Sequence, residues 1–361
     1  IPFSNFDFDN TESSELTIIK SSSSWFLLIP SLELAYCSKL LSYLSKWSGV
    51  IFNITAYLGL NESIKSNIDS ANSAVCYAES VNPNANWVSE IHALDYLVYA
   101  YLQMGDNVRA QTEMNKMIEI KEVFPSDHFA SAYALIAVPS RLAVENKDWE
   151  LATELELPKT NLDWDKAPWP KAMLHFSRAL GFTNTGNTSK AQKELDILID
   201  LRERLNEAKN SYESGQVTIQ IESIKGWIEY SKGNTEKAIE YMKLASKLES
   251  ETTKAAVTPG EIIPAEELLA DLYMLTGKHK EALKSYELNL RGRPYRYNGL
   301  YVAAKAAQKL NNNELAAYYF EKLIKEATEK NEFRLATRLI FLHALKLLSD
   351  KHLIEFNPGK T

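Results

Sequence analysis

"TGKHKEALKSYELNLRGRP", residues 276–294, decides the fold. Gly277 is followed by Ala282 five residues on, Tyr286 four after that and Pro294 eight further along. Moving the first three positions 34 residues onward reaches Asn311, Ala316 and Phe320 in "KLNNNELAAYYFEKLI". The same turn residue with an alanine five later recurs as Gly105/Ala110, Lys147/Ala152, Gly186/Ala191 and Gly233/Ala238. Self-similarity of this kind identifies an array of stacked units. Each residue has a packing reason. Gly or Asn accepts a left-handed turn, alanine lets two helices approach closely, the aromatic fills the wider gap below, and proline ends the second helix.

The segments flanking these turns have helical periodicity. "EIHALDYLVYAYLQMG" (90–105) places Ile91, Leu94, Leu97, Val98, Tyr101 and Leu102 at three- and four-residue spacing and stops at Gly105. "VRAQTEMNKMIEI" (108–120) continues with Ala110, Met114, Met117 and Ile118 on one face, which makes a helical hairpin. "QVTIQIESI" (216–224) alternates like a strand but reads as helix, because its periodicity runs on through Trp227 and Ile228. No stretch past residue 60 alternates helix and strand as a doubly wound domain requires.

The sequence changes character near residue 60: residues 1–80 hold 17 serines and the other 281 hold 14. Residues 1–56 therefore read as an irregular leader, or as a stretch that is not the natural reading of the gene. Residues 57–330 read as the repeat array. Residues 331–361 read as a capping helix, "EFRLATRLIFLHALKLLSD" (332–350), and a tail. A net charge of −7 over 361 residues gives no general attraction to nucleic acid or anionic lipid. The apolar run in "SSSSWFLLIP" (21–30) is too short to span a bilayer. Cys37 and Cys76 are far apart and lack zinc or disulfide spacing.

Catalytic signatures are absent from the sequence: it has no GxGxxG, P-loop, HExxH or GxSxG, and no two of the six histidines share a helix face at metal spacing. Neither a cofactor nor a metal is expected. Glu90, His92 and Asp95 form the most suggestive polar set, as a His/Asp pair or as polar contacts on a groove. Trp164 and Trp169, among prolines in "LDWDKAPWPKAMLHF" (162–176), are ligand anchors or plugs of a joint between hairpins. "RGRPYRYNG" (291–299) interleaves Arg291, Arg293 and Arg296 with tyrosines, which suits either phosphate binding or a solvated turn between repeats, the latter favoured.

These residues resemble the tetratricopeptide repeat family. The match in residues 264–294 covers Leu269, Ala270, Tyr273, Gly277, Ala282, Tyr286 and Pro294, and "IESIKGWIEYSKGNTEKAIEYMKLAS" adds Gly226, Gly233, Ala238 and Ala245. A narrower likeness, carried by "HALDYLVYAYLQMG", "VTPGEIIPAEELLADLY" and "RYNGLYVAAKAAQ", is to bacterial tetratricopeptide proteins whose function is not established and which are longer at the N-terminus. It implies an N-terminally incomplete member, soluble, in the cytoplasm or periplasm. The resemblance implies an all-α, right-handed solenoid whose first helices line a concave groove. Turn-to-turn spacings of 42, 39, 47, 44 and 34 depart from the family's regular period.

The family frame projects His92, Asp95, Tyr99 and Leu102, then Arg141, then Phe176 and Leu180, then Gln220, Ser223, Trp227 and Tyr230, then Asn298, Tyr301 and Lys305 into that groove. The face is aromatic with few charges, which suits a protein or peptide ligand. The alternative is that longer repeats fold the groove shut and turn these aromatics into core. The implied job is a non-catalytic scaffold. The alternative is the helical frame of an enzyme or metal-binding protein whose reactive residues lie N-terminal to the array.

Overall fold

The computed structural model describes residues 18–21, 24–27, 60–252, 260–294 and 296–329. Helix α1 (Leu60–Val81) precedes six hairpins. They are α2 (Val88–Gln103) with α3 (Asn107–Glu119), α4 (Phe129–Glu145) with α5 (Trp149–Glu154), and α6 (Pro168–Asn184) with α7 (Thr188–Glu207). Then come α8 (Ser211–Ser231) with α9 (Thr235–Glu251), α10 (Ala265–Leu275) with α11 (His279–Gly292), and α12 (Tyr297–Lys309) with α13 (Asn313–Glu329). The alternating "QVTIQIESI" lies inside α8. The capping helix expected at 332–350 lies outside the described residues. In the segment read as irregular, Ile18–Ser21 pairs antiparallel with Ser24–Leu27, which its β-branched and aromatic residues favour.

All six hairpin turns hold a residue in the left-handed region: Gly105 (φ 71°), Lys147 (54°), Gly186 (79°), Gly233 (85°), Gly277 (74°) and Asn311 (57°). Each turn closes the same way. The Gly277 N–H donates to the Met274 carbonyl at 3.3 Å and the Lys278 N–H to the Tyr273 carbonyl at 2.9 Å. That pair satisfies carbonyls the ending helix would otherwise leave open, and only a left-handed residue brings the two N–H groups round. In four of the hairpins the next residue is also an Asp or Asn whose side chain caps the second helix. Asp106, Asp148, Asn187 and Asn312 accept from the N–H groups of Arg109, Leu151, Lys190 and Leu315.

The alanine five residues beyond each turn is buried in every hairpin, with Ala110, Ala152, Ala191, Ala238 and Ala282 at 0% exposure and Ala316 at 3%. Close helix approach is the cause. At Gly226 on α8, a Cβ would meet the Met242 side chain of α9 at 2.8 Å and the Ala238 carbonyl at 3.1 Å. Tyr286 is fully buried, and its hydroxyl donates to Asp271 Oδ1 at 2.6 Å.

First helices stack in order, α2 on α4, α4 on α6 and α6 on α8, and each second helix also packs against the next first helix. Contact between α8 and α10 is thin, and the segment Gly260–Pro264 enters there. The array curls enough for α12 to touch α2. One apolar core runs from Tyr133 to Leu323, a second fills the N-terminal hairpins, and Trp164 packs against both. Among the described residues no helix is long and apolar enough to cross a membrane.

Candidate functional site: the face of the first helices

Of the fourteen residues projected into the groove, Asp95, Leu102, Arg141, Phe176, Leu180, Ser223 and Trp227 are buried, at 5% exposure or less. His92, Tyr99, Gln220, Tyr230, Asn298 and Tyr301 are half-buried, and Lys305 is exposed. Most of the projected positions are thus covered rather than open to a groove. Over Arg141, and beside Phe176, Gln220 and Ser223, lies the segment Gly260–Pro264.

The inserted segment is held by groups far from it in sequence. The Gly260 carbonyl accepts from Arg141 Nη2 at 2.7 Å and from the Tyr133 hydroxyl, both on α4. Arg141 is fixed from behind by Asp95 on α2, and its Nη2 also donates to the Tyr133 hydroxyl at 3.2 Å. Glu261 pairs with Arg293, which also donates to Asn289 Oδ1 at 3.2 Å and lies 3.9 Å from Glu249. Ile262 and Ile263 are buried at 2 and 5% exposure. Beside them, Tyr133, Trp169, Phe176, Gln220 and Ser223 line a cavity of about 20 Å³, room for about one water. Trp169 stacks on Phe129 at 5.5 Å and meets Tyr133 edge-on, so it serves as a plug between hairpins.

A second polar cluster closes the curl. Arg296 donates to Glu267 Oε2 at 2.6 Å and to Glu145 Oε2 at 2.9 Å. Asn298 Nδ2 donates to the Glu145 carbonyl at 2.8 Å and to its carboxylate at 3.0 Å, and Asn289 Nδ2 donates to Glu267 at 2.9 Å. Burial pushes the Glu145 carboxyl up; Arg296 pulls it back, while the like charge of Glu267 adds to the rise. Burial alone would lower Arg296, but Glu145 and Glu267 outweigh it and hold the guanidinium well above its ordinary value.

His92 and Asp95 do not form a pair. The Asp95 carboxylate turns to Arg141, whereas His92 meets the Tyr96 ring edge-on at 5.0 Å and its buried Nε2 has no hydrogen-bond partner. Burial, with a smaller contribution from His128, lowers His92 to about 4; burial raises Asp95 to about 6 against the opposing pull of Arg141. A histidine depressed in the folded state binds a proton first in the unfolded chain, so its contribution to stability is intact above pH 6.5 and lost as pH falls toward 4. Between pH 7 and pH 4 this loss is about 3 kcal/mol. Urea denaturation of the native chain and of His92→Leu at both pH values isolates it: the difference between the two proteins should shift by that amount, and a pH-independent difference refutes it.

No protein-family model and no curated protein matches the sequence. Among solved structures, a tetratricopeptide repeat protein from Parabacteroides merdae superposes with a TM-score of 0.37 at 13% identity, over 81% of this chain and 99% of that one. The Cut9–Hcn1 hetero-tetramer of APC/C gives a TM-score of 0.28 at 12% identity, over 84% of this chain and 59% of that one. The hairpins themselves decide the class, since the left-handed turn and the buried alanine recur in all six. The chain is an all-α array of repeated helical hairpins.

Within that array only Arg291 of the basic cluster "RGRPYRYNG" is exposed, as a solvated turn would have it. Arg296 is only 2% exposed and Arg293 is mostly covered, because Arg296 reaches Glu145 and Glu267 and Arg293 reaches Glu261 of the inserted segment. Asn298 is likewise spent on Glu145, while Lys305 stands over the Tyr301 ring at 4.8 Å. The inward turn of Arg293 and Arg296 has no local pattern, since their partners lie 29 to 151 residues away. Glu145, Tyr133 and Glu267 were missed for the same reason.

Proposed function

We propose that this chain is a non-catalytic scaffold that holds a segment of a protein along the face of its first helices. The carrying observation is that this face already holds a short non-helical segment by the means that suit a peptide. A buried guanidinium and a phenol bind a backbone carbonyl, an arginine meets an acidic side chain, and apolar side chains cover two isoleucines. Backbone hydrogen bonds of this kind supply affinity for any peptide, and the side-chain pockets supply choice. Tyr230, Tyr301 and Lys305 remain accessible on the same helices and extend the face.

The test is selection of displayed peptides on the full chain, followed by Tyr230→Ala/Tyr301→Ala. Removal of two aromatic anchors should weaken the selected peptides at least about tenfold, with helical circular dichroism unchanged. Undiminished binding, or failure to select any peptide, removes this face as the binding side.

A further inference from the structure

We infer that Gly260–Pro264 is a built-in ligand that competes with a partner segment of its own chemistry: an acidic residue followed by two branched aliphatic residues. The inference rests on the first-helix face being the binding side. It starts from what would remain if the segment left. Arg141 would keep Asp95 and Tyr133, and Arg293 would keep Asn289 and Glu249. The groups that grip the segment are thus oriented by other parts of the fold, and the segment is their guest rather than their support.

The insertion point is consistent with a guest. Consecutive first helices pack closely on one another up to α8; contact is thin between α8 and α10, where the segment lies, and thinner still between α10 and α12. Pro264 disfavours helix at Ile263, so the segment is biased to its bent, non-helical form before it docks. Gly260 holds φ at +104°, which leaves its carbonyl for Arg141 and Tyr133. The recognition elements are a carbonyl, a carboxylate and two isoleucines in a row, all readable in a partner chain.

Tethering gives the internal segment an effective concentration on the order of millimolar, so a partner in trans sees only the fraction of open sites and binds more weakly by that fraction. The probe is a fluorescent synthetic peptide, GEIIPA, with the sequence of residues 260–265. It should bind the full-length Ile262→Ser/Ile263→Ser variant at least about tenfold more tightly than the native chain. The same peptide with lysine for glutamate, or serine for both isoleucines, should lose binding. Equal binding to both proteins, or indifference to the peptide's side chains, overturns the inference while leaving the Tyr230/Tyr301 result to stand on its own. Should the variant fail to fold, hydrogen exchange on the native chain decides: the amides of Glu261–Ile263 should exchange faster than those of α8 and α10 through local opening. Exchange only by global unfolding overturns the inference.

Discussion

Replacing Arg141 by methionine should cost the folded chain about 3–5 kcal/mol at neutral pH, because it leaves Asp95 as a buried carboxylate without its cation. Both side chains of the pair are at 0% exposure, and Arg141 is among the largest fully buried side chains. Burial already raises Asp95 to about 6 with the guanidinium beside it. Without Arg141 the carboxyl rises further, so its contribution is present at low pH and lost as pH rises. The deficit of Arg141→Met should therefore be larger at pH 7.5 than at pH 5 in urea denaturation. Asp95→Asn/Arg141→Met should recover most of it, since two neutral groups of similar shape carry no charge-burial cost. A loss below about 1 kcal/mol, or a double variant no better than the single, would show that the pair contributes little. The same single variant leaves Tyr133 as the one side-chain donor of this cluster to the Gly260 carbonyl, and it should speed exchange at Glu261–Ile263.

The hairpin frame was legible because it is written in single residues with local causes. A left-handed turn selects Gly or Asn, and a close helix crossing selects Ala, so Gly277/Ala282 and Asn311/Ala316 speak for themselves. Lys147 has no such preference, and it was found only through the spacing to Ala152. Even the insertion left a trace: Gly233 and Gly277 are 44 residues apart where the next pair is separated by 34, and the surplus houses the connection that carries Gly260–Pro264. The 39-residue step from Lys147 to Gly186 is built differently, from a six-residue second helix followed by an irregular joint filled by Trp164 and Trp169.

What the sequence hid is the polar interior. The family frame put Asp95 and Arg141 on one side of the helices but said nothing of what lies over them, because the covering segment has no period. Arg293 and Arg296 flank a helix-stopping proline, where solvated arginines are the ordinary expectation. Their partners stand 32 residues away at Glu261, 29 at Glu267 and 151 at Glu145, and it is the curl of the array that brings in the last of these.

The curl gives Arg296 an expected effect as large as that of Arg141, with a different signature. Arg296→Met should destabilise by about 3–5 kcal/mol, since it strands two buried carboxylates of like charge. It should also loosen the tie between α12 and the end of α4, which shows as an increase in radius of gyration by small-angle scattering. The Arg141 variant breaks no link to α12 and should show no such increase. The two carboxylates are not equivalent. Glu267 faces the guanidinium with two oxygens, at 2.6 and 3.0 Å, and accepts from Asn289, whereas Glu145 shares it and also draws on Asn298. One guanidinium between two carboxylates leaves an excess negative charge in a buried place. Glu145→Gln removes that excess and keeps an amide oxygen for Asn298, so its expected change in stability is within about 1 kcal/mol, in either direction. Since burial and Glu267 hold the Glu145 carboxyl above its ordinary value, its charge costs stability as pH rises, and Glu145→Gln should flatten that decline. A loss from Glu145→Gln equal to that from Arg296→Met would mean that the carboxylate, and not the cation between the two, is what ties the ends of the array.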